Sequence, residues 1–243
     1  MPESVAVVTG GASGIGRALV EESRQRGARV LWGDRAVDPA SPLPGGRHLD
    51  VSDRADVDRF AAWVGAEVDG VDLLVNNAGV MPTATVAETT PAMWAAALGV
   101  NLLGVLHVVQ AFLPALRAQA RPARIVNIAS LAGFAPPVGS RCGAYAATKS
   151  AVISVSESLA DELAGSGISV SVVCPSGVET GIFGAAPPAG LMAPAEAARR
   201  ILDGVAAGRS YVFTHVDEAA SERLFGRWAR VEADFTAAAA ATM

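Results

Sequence analysis

Apolar residues along this chain fall into short, nearly unbroken runs that alternate with longer stretches of helical spacing. VAVVTG (5–10) is a β-branched run ending in glycine, and IGRALVEESRQRGA (15–28) spaces its apolar residues for one helix face and stops at Gly27. RVLWGD (29–34) predicts a second strand, and RHLDV (47–51) a third after a Pro- and Gly-rich loop at 36–46. SDRADVDRFAAWVGAEV (52–68) predicts a helix with Ser52 as its cap, and VDLLVNNAG (71–79) a buried strand running into a turn. A long helical region spans 90–119, opened by Thr90 as cap and Pro91 at the first helical position. Further strands are expected at 123–130, 168–175 and 210–214, and further helices at 144–165, ending at Gly165, and 194–208. The tail at 236–243 reads as a frayed helix end or as disorder.

Strands alternating with helices of this length define βαβ units, and strands apolar on both faces belong to a parallel sheet covered by helices on each side. No linker divides the chain and no fixed-period repeat appears, so one α/β domain is expected over 1–235. With 243 residues, 51% of them hydrophobic, such a domain needs no disulfide or metal staple.

Charge and cysteine use exclude several classes. A net charge of −5 argues against a nucleic-acid partner. The two cysteines, Cys142 and Cys174, form no CxxC pair, and His48, His107 and His215 are scattered, so no metal site is expected. The N-terminal stretch lacks a basic leader, and no run of 18 apolar residues occurs. Reduced thiols in a cytoplasmic protein, with no membrane partner, are the expectation.

The turn after the first strand, TGGASGIG (9–16), places Gly10, Gly14 and Gly16 between a strand and a helix. Glycines there let a pyrophosphate approach the backbone, and the helix start offers free N–H groups and the positive end of its dipole. The second strand ends at Asp34, 18 residues past Gly16. A carboxylate there accepts ribose hydroxyls and repels a 2′-phosphate, and Ser13 gives such a phosphate no charge, so Asp34 favours NAD over NADP. Arg35 is the countervailing residue, because a guanidinium pairs with a 2′-phosphate. Farther on, YAATK (145–149) puts a phenol four residues before an amine, one helical turn apart on one face.

In their order and placement, TGGASGIG (9–16), Asp34, LDV (49–51), NNAG (76–79), Asn101, Ser130, YAATK (145–149) and PSGVET (175–180) resemble the short-chain dehydrogenases/reductases in their compact form. The resemblance covers nearly the whole chain. It implies a single Rossmann-type doubly wound domain with a central, mostly parallel seven-stranded sheet and helices on both faces. It also implies a dimer or tetramer formed through the helices at 90–119 and 144–165.

The roles it implies follow by position. Tyr145 is the general acid/base, and Lys149 lowers its pKa and binds the nicotinamide ribose. Ser130 holds the substrate oxygen, and Asn101 holds a water that links Lys149 to solvent. Gly10, Ser13, Gly14, Ile15 and Gly16 would cradle the dinucleotide, and Asp34 would take the adenosine ribose. Asp50 and Val51 would lie against adenine, Asn77, Ala78 and Gly79 beside the ribose, and Val178 and Thr180 against the carboxamide.

Two departures from that family's pattern stand out. The segment Pro175-Ser176-Gly177-Val178-Glu179-Thr180 has its glycine one place late, and 15 residues, about two more than usual in the family, separate Ser130 from Tyr145. The loop 131–144 holds the excess and borders the substrate. The uncharged stretch 181–194 suits a mobile lid. Phe134, Pro136, Pro137, Phe183, Leu191 and Met192 are candidate walls of an apolar pocket.

Because no Arg or Lys stands in the lid, the expected substrate is an uncharged, rather hydrophobic alcohol or ketone. The rival readings are an NADPH-dependent 3-oxoacyl thioester reductase and a cofactor-binding regulator without turnover. Asp34 and the neutral Ser13 speak against the first, and the presence of Tyr145 and Lys149 against the second. Cys142 reads as structural, His107 as a packed helix residue, and Trp32, Trp63, Trp94 and Trp228 as core or interface side chains.

Overall fold

Seven strands come together in one sheet: β1 (Val5–Thr9), β2 (Arg29–Asp34), β3 (Gly46–His48), β4 (Leu73–Asn76), β5 (Ala123–Ile128), β6 (Ile168–Cys174) and β7 (Tyr211–Phe213). Their spatial order is β3-β2-β1-β4-β5-β6-β7, and every neighbouring pair runs parallel. The computed structural model describes residues 4–38, 40, 44–184 and 189–240. The sheet is therefore wholly parallel, and β2 has the bounds its sequence pattern predicts.

Alternate strand residues point to opposite faces, so each strand feeds two cores. Val7, Leu31, Leu74, Ile125 and Val172 face one layer, made by α2 (Arg54–Glu67), α4 (Gly104–Ala118) and α6 (Gly143–Glu162). Its helices contribute Val57, Phe60, Val105, Val108, Phe112, Val152 and Ile153. Ala6, Val8, Val30, Val75, Val126 and Val173 face the other layer, where α1 (Gly14–Gln25) and α7 (Pro194–Ala206) supply Leu19, Val20, Ile201 and Val205. The two-sided burial is why the strands read as unbroken apolar runs.

The long helical region begins as predicted. Pro91 opens α3 (Pro91–Leu98), and the Thr90 hydroxyl accepts from the Met93 amide. It is not one regular helix, however. A five-residue π segment, Gly99–Leu103, joins α3 to α4 and carries Asn101. Such a bulge is a common device for aiming a side chain at a site. The run Pro91–Ala118 is long and apolar enough to cross a membrane, which the absence of an unbroken apolar run did not foretell, but its Val105, Val108, Phe112 and Leu116 face is core.

One local expectation is corrected, and one open alternative is decided. The α2 cap is Asp53, whose carboxylate accepts from the Ala55 amide; Ser52 instead turns its amide and hydroxyl to Asp50. Either residue type suits a cap, so sequence did not separate them. The segment 236–240 is the end of a 23-residue helix, α8 (Glu218–Ala240), that the pattern did not reveal; 241–243 lie outside the described residues.

Candidate active site

The strand order reverses between β1 and β4, and a doubly wound sheet opens a crevice at the carboxyl ends of its strands there. Here the crevice is a cleft of about 1020 Å³, running from Asp34, Arg35 and Asp50 at one end to Phe183, Leu191 and Arg223 at the other. That is room for a dinucleotide together with a small substrate. Every candidate catalytic and cofactor-binding residue lines it except Gly16 and Asn101, which are buried behind its wall.

The glycine turn is shaped by close approach. Gly10 and Gly14 have φ of +68° and +55°, where a side chain is strained. A Cβ on Gly16 would lie 2.0 Å from the Gly10 carbonyl oxygen. The Ser13 side chain makes no cap hydrogen bond and no acid stands in the first turn of α1, so the positive end of the helix is left open to an anion. Asn77 braces the turn: its amide donates to the carbonyls of Thr9 and Gly10, and its backbone and that of Ala78 donate to the Thr9 hydroxyl. Thr180 closes the other side, since a Cβ on Gly14 would stand 2.9 Å from its methyl carbon. A cradle that only glycine permits, facing an uncapped helix start, fits a pyrophosphate.

Asp34, at the end of β2, holds its carboxylate in place by accepting from the amides of Ala12 (3.0 Å) and Ala36 (2.8 Å). Asp50 accepts from Ser52, which together with a minor contribution from nearby Arg35 and His48 holds its carboxyl below the usual range. Val51 is fixed by the His107 ring on its carbonyl (3.0 Å), so His107 is a packed residue, as its position in an apolar helix suggested.

Ser130 follows β5 and caps the short helix α5 (Leu131–Phe134), its hydroxyl accepting from the Ala132 amide. Tyr145 and Lys149 lie one turn apart on α6, with the ammonium 5.6 Å from the phenol ring centroid. Burial pushes the Tyr145 phenol up to about 12, although hydrogen bonding to Ser130 draws it part of the way back. Burial also pulls Lys149 down to about 8. The lysine nitrogen donates to the Ile128 carbonyl at 2.7 Å. The phenol is thus held above its ordinary value by burial, and the lowering comes from Ser130 where Lys149 was expected to supply it.

Asn101 is fully buried; its side chain accepts from the Val80 amide and donates to the Val80 carbonyl and the Thr148 hydroxyl. A Cβ on Gly79 would stand 3.4 Å from the Asn101 oxygen and 3.6 Å from the Lys149 nitrogen, so both polar groups border one small space. Asn101→Ala strips three hydrogen bonds and orphans both polar groups of Val80. We expect it to cost about 2–4 kcal/mol of stability, read by urea unfolding; an unchanged midpoint would mean that water replaces the amide.

The substrate end differs from expectation. Pro137, Phe183 and Leu191 line it with Met81 and Ile182, but Phe134, Pro136 and Met192 do not. Phe134 packs against Tyr211 and Phe213, Pro136 is exposed, and Met192 bridges to Val178 through backbone bonds with Gly177 and Glu179. Within the expected lid, 185–188 lie outside the described residues; Gly181–Phe183 form a single 3₁₀ turn. Sequence reasoning missed Asp217 and Arg223, which α8 and the residue before it bring to the cleft. The apolar stripe of α8, ahead of which Asp217 caps the helix through the Ala220 amide, was the available signal. Cys142 is buried against the cleft with its sulfur 3.0 Å from the Ser140 hydroxyl. Among the described residues no group of three metal-ligating side chains gathers.

A doubly wound parallel domain with a nucleotide cleft at its switch point, and a serine, tyrosine and lysine within that cleft, defines a class of nucleotide-dependent oxidoreductases. The short chain dehydrogenase family model matches residues 4–189, and the chain belongs to that family. An uncharacterised oxidoreductase of Staphylococcus aureus (strain MW2) is 31% identical over 200 residues, 77% of this chain and 84% of that protein. A short chain dehydrogenase/reductase from Burkholderia phymatum, solved in complex with NAD, is 31% identical with a TM-score of 0.84 over 95% of both chains. A short chain dehydrogenase from Burkholderia cenocepacia J2315, solved in complex with NADP, is 29% identical with a TM-score of 0.79, again over 95% of both chains.

Proposed function

We propose that this oxidoreductase moves hydride between NAD(H) and an uncharged, mainly hydrophobic secondary alcohol or ketone, with Tyr145 as general acid/base. The observation that carries the reading is that Asp34, the glycine turn, Ser130, Tyr145 and Lys149 all line one continuous cleft, which lies across the carboxyl ends of the neighbouring strands β2, β1, β4 and β5. The nicotinamide bound there would supply the hydride acceptor or donor.

The chain's own residues do the rest. The uncapped start of α1 binds the phosphates, and the Asp34 carboxylate orients the ribose and disfavours a 2′-phosphate. The Ser130 hydroxyl holds the substrate oxygen, and the Tyr145 phenol gives or takes its proton. Lys149, buried beside the ring, stabilises the phenolate and donates to the ribose, and Asn101, bordering the same small space, would hold a water that links Lys149 to solvent. Met81, Pro137, Ile182, Phe183 and Leu191 exclude water from the reacting carbon. Asp217 and Arg223 also line the far end of the cleft.

Arg35 at the adenosine end favours a second reading, an NADPH-dependent reductase of 3-oxoacyl thioesters. Parallel titration of NADH and NADPH, followed by nicotinamide fluorescence, separates the two. We expect tight NADH and weak NADPH binding, followed by turnover of uncharged secondary alcohols with NAD. Reversed cofactor preference moves the reductase reading to first place. Strong preference for a charged hydroxy acid overturns the substrate class, and binding of neither nucleotide overturns the whole assignment.

A further inference from the structure

Helix α8 leaves the body of the protein. Of its residues only Ala220 is fully buried, and every residue from 227 to 240 is exposed. Its large apolar side chains are nevertheless numerous: Phe225 is 68% exposed, Trp228 55%, Val231 50% and Phe235 75%. Leu224, Trp228, Val231 and Phe235 recur at intervals of four, three and four residues, which places them on one narrow stripe. The exposed stretch 227–240 is of a length at which a helix standing alone in water is marginal, and a contiguous apolar stripe of this kind marks an interaction surface.

We propose that this stripe pairs antiparallel with the same stripe of a second copy of the chain. The two-fold axis would pass close to Ala229 and Arg230. Leu224 then meets the second copy's Phe235, and Trp228 meets its Val231, so that large side chains face smaller ones along the seam. A parallel pair would stack Trp228 on Trp228 and Phe235 on Phe235 and crowd both bodies at one end.

Charge agrees with the antiparallel sense. Arg227 and Asp234 lie on the same flank of the stripe, one heptad apart, and an antiparallel pair brings like flanks together. Arg227 of each copy therefore faces Asp234 of the other. A lipid occupant fits less well, because α8 carries four acidic residues (Glu218, Glu222, Glu232, Asp234) against three arginines (Arg223, Arg227, Arg230), whereas membrane-surface helices are basic.

Size agrees too. The exposed apolar side chains offer on the order of 500 Å² per copy. With the flanking stems, that approaches the roughly 800 Å² per partner of a stable interface. The pairing is tied to the site, because Arg227 also donates to the Phe134 carbonyl and Arg223, one turn earlier, lines the cleft. Fixing α8 against a second copy fixes that wall of the cleft.

Sedimentation velocity of the full chain and of the double variant Trp228→Glu/Phe235→Glu tests the proposal, with NADH binding as the check that the body still folds. We expect the assembly mass of the wild type to be halved in the variant. A second measurement sets the direction: under mild oxidation, an equimolar mixture of Leu224→Cys and Phe235→Cys proteins should form a disulfide-linked pair that neither forms alone. The proposal is overturned by a wild type that sediments as a single chain, including one that floats with anionic phosphatidylglycerol vesicles. A double variant that keeps the wild-type mass overturns it as well, since association would then run through other faces. So does crosslinking of Phe235→Cys with itself, which would mean a parallel pair.

Discussion

Tyr145→Phe should lower kcat/KM for alcohol oxidation by roughly 10³-fold, within the range that a positioned acid/base contributes, while leaving NADH affinity within about a factor of two. The phenol ring remains to fill its place, so Lys149 and the nicotinamide side of the cleft keep their packing; only the proton carrier is lost. Steady-state kinetics and a fluorescence titration on the same preparation decide it. A variant that retains a tenth or more of the activity would remove Tyr145 from the proton transfer and leave Ser130 as the candidate.

The pH dependence gives the same couple a second signature. Lys149 is pulled down to about 8 and Tyr145 pushed up to about 12, both chiefly by burial. Two groups this close titrate as a pair, and the first proton leaves the pair near the lower value. Oxidation of an alcohol needs the deprotonated pair, so kcat/KM for oxidation should rise with pH and level off above about 8. Reduction of a ketone needs the proton present and should fall over the same interval. Lys149→Met removes the group that titrates first and leaves a buried phenol. The rise in oxidation should then move toward about 12, and activity near neutrality should collapse. An unmoved profile would place the titrating group elsewhere in the cleft.

The parts of this molecule that sequence made legible are those whose chemistry is local. The β2 run from Arg29 to Asp34 has the predicted bounds because both its faces are buried by neighbours adjacent in sequence order. Thr90 and Pro91 start their helix where a cap and a proline must. The glycine turn is readable because Gly10 and Gly14 occupy backbone space that other residues avoid.

What escaped depends on distant packing. The π segment at Gly99–Leu103 looks like ordinary helix in its spacing, and only the fold shows that the extra residue turns Asn101 toward Val80 and Thr148. The raised phenol of Tyr145 reflects desolvation, which the spacing of YAATK does not encode. Arg223 reaches the cleft because α8 returns over α5, about 90 residues later in the chain. The stripe on α8 was the signal for that helix, but it meets no core in its own chain, so its spacing did not say where the helix would lie.

Asp34→Asn should turn the cofactor preference toward NADPH. The substitution keeps the size of the side chain and an oxygen to accept from Ala12 or Ala36, and removes the negative charge. A carboxylate within a few ångströms of a 2′-phosphate opposes it by on the order of 1–3 kcal/mol at a half-exposed site, so NADPH affinity should rise about tenfold or more. NADH affinity should fall several-fold, because the amide replaces one ribose acceptor with a donor. The preference would swing by roughly 10- to 100-fold.

Arg35 then becomes decisive. Once the carboxylate is gone, its guanidinium is the nearest cation on that side of the cleft, and Asp34→Asn/Arg35→Ala should lose most of the NADPH gain. If the single variant leaves the ratio unchanged, Asp34 is not what the adenosine end recognises. If Arg35→Ala alone weakens NADPH in an otherwise native chain that already binds it well, the second reading of the cleft is the correct one.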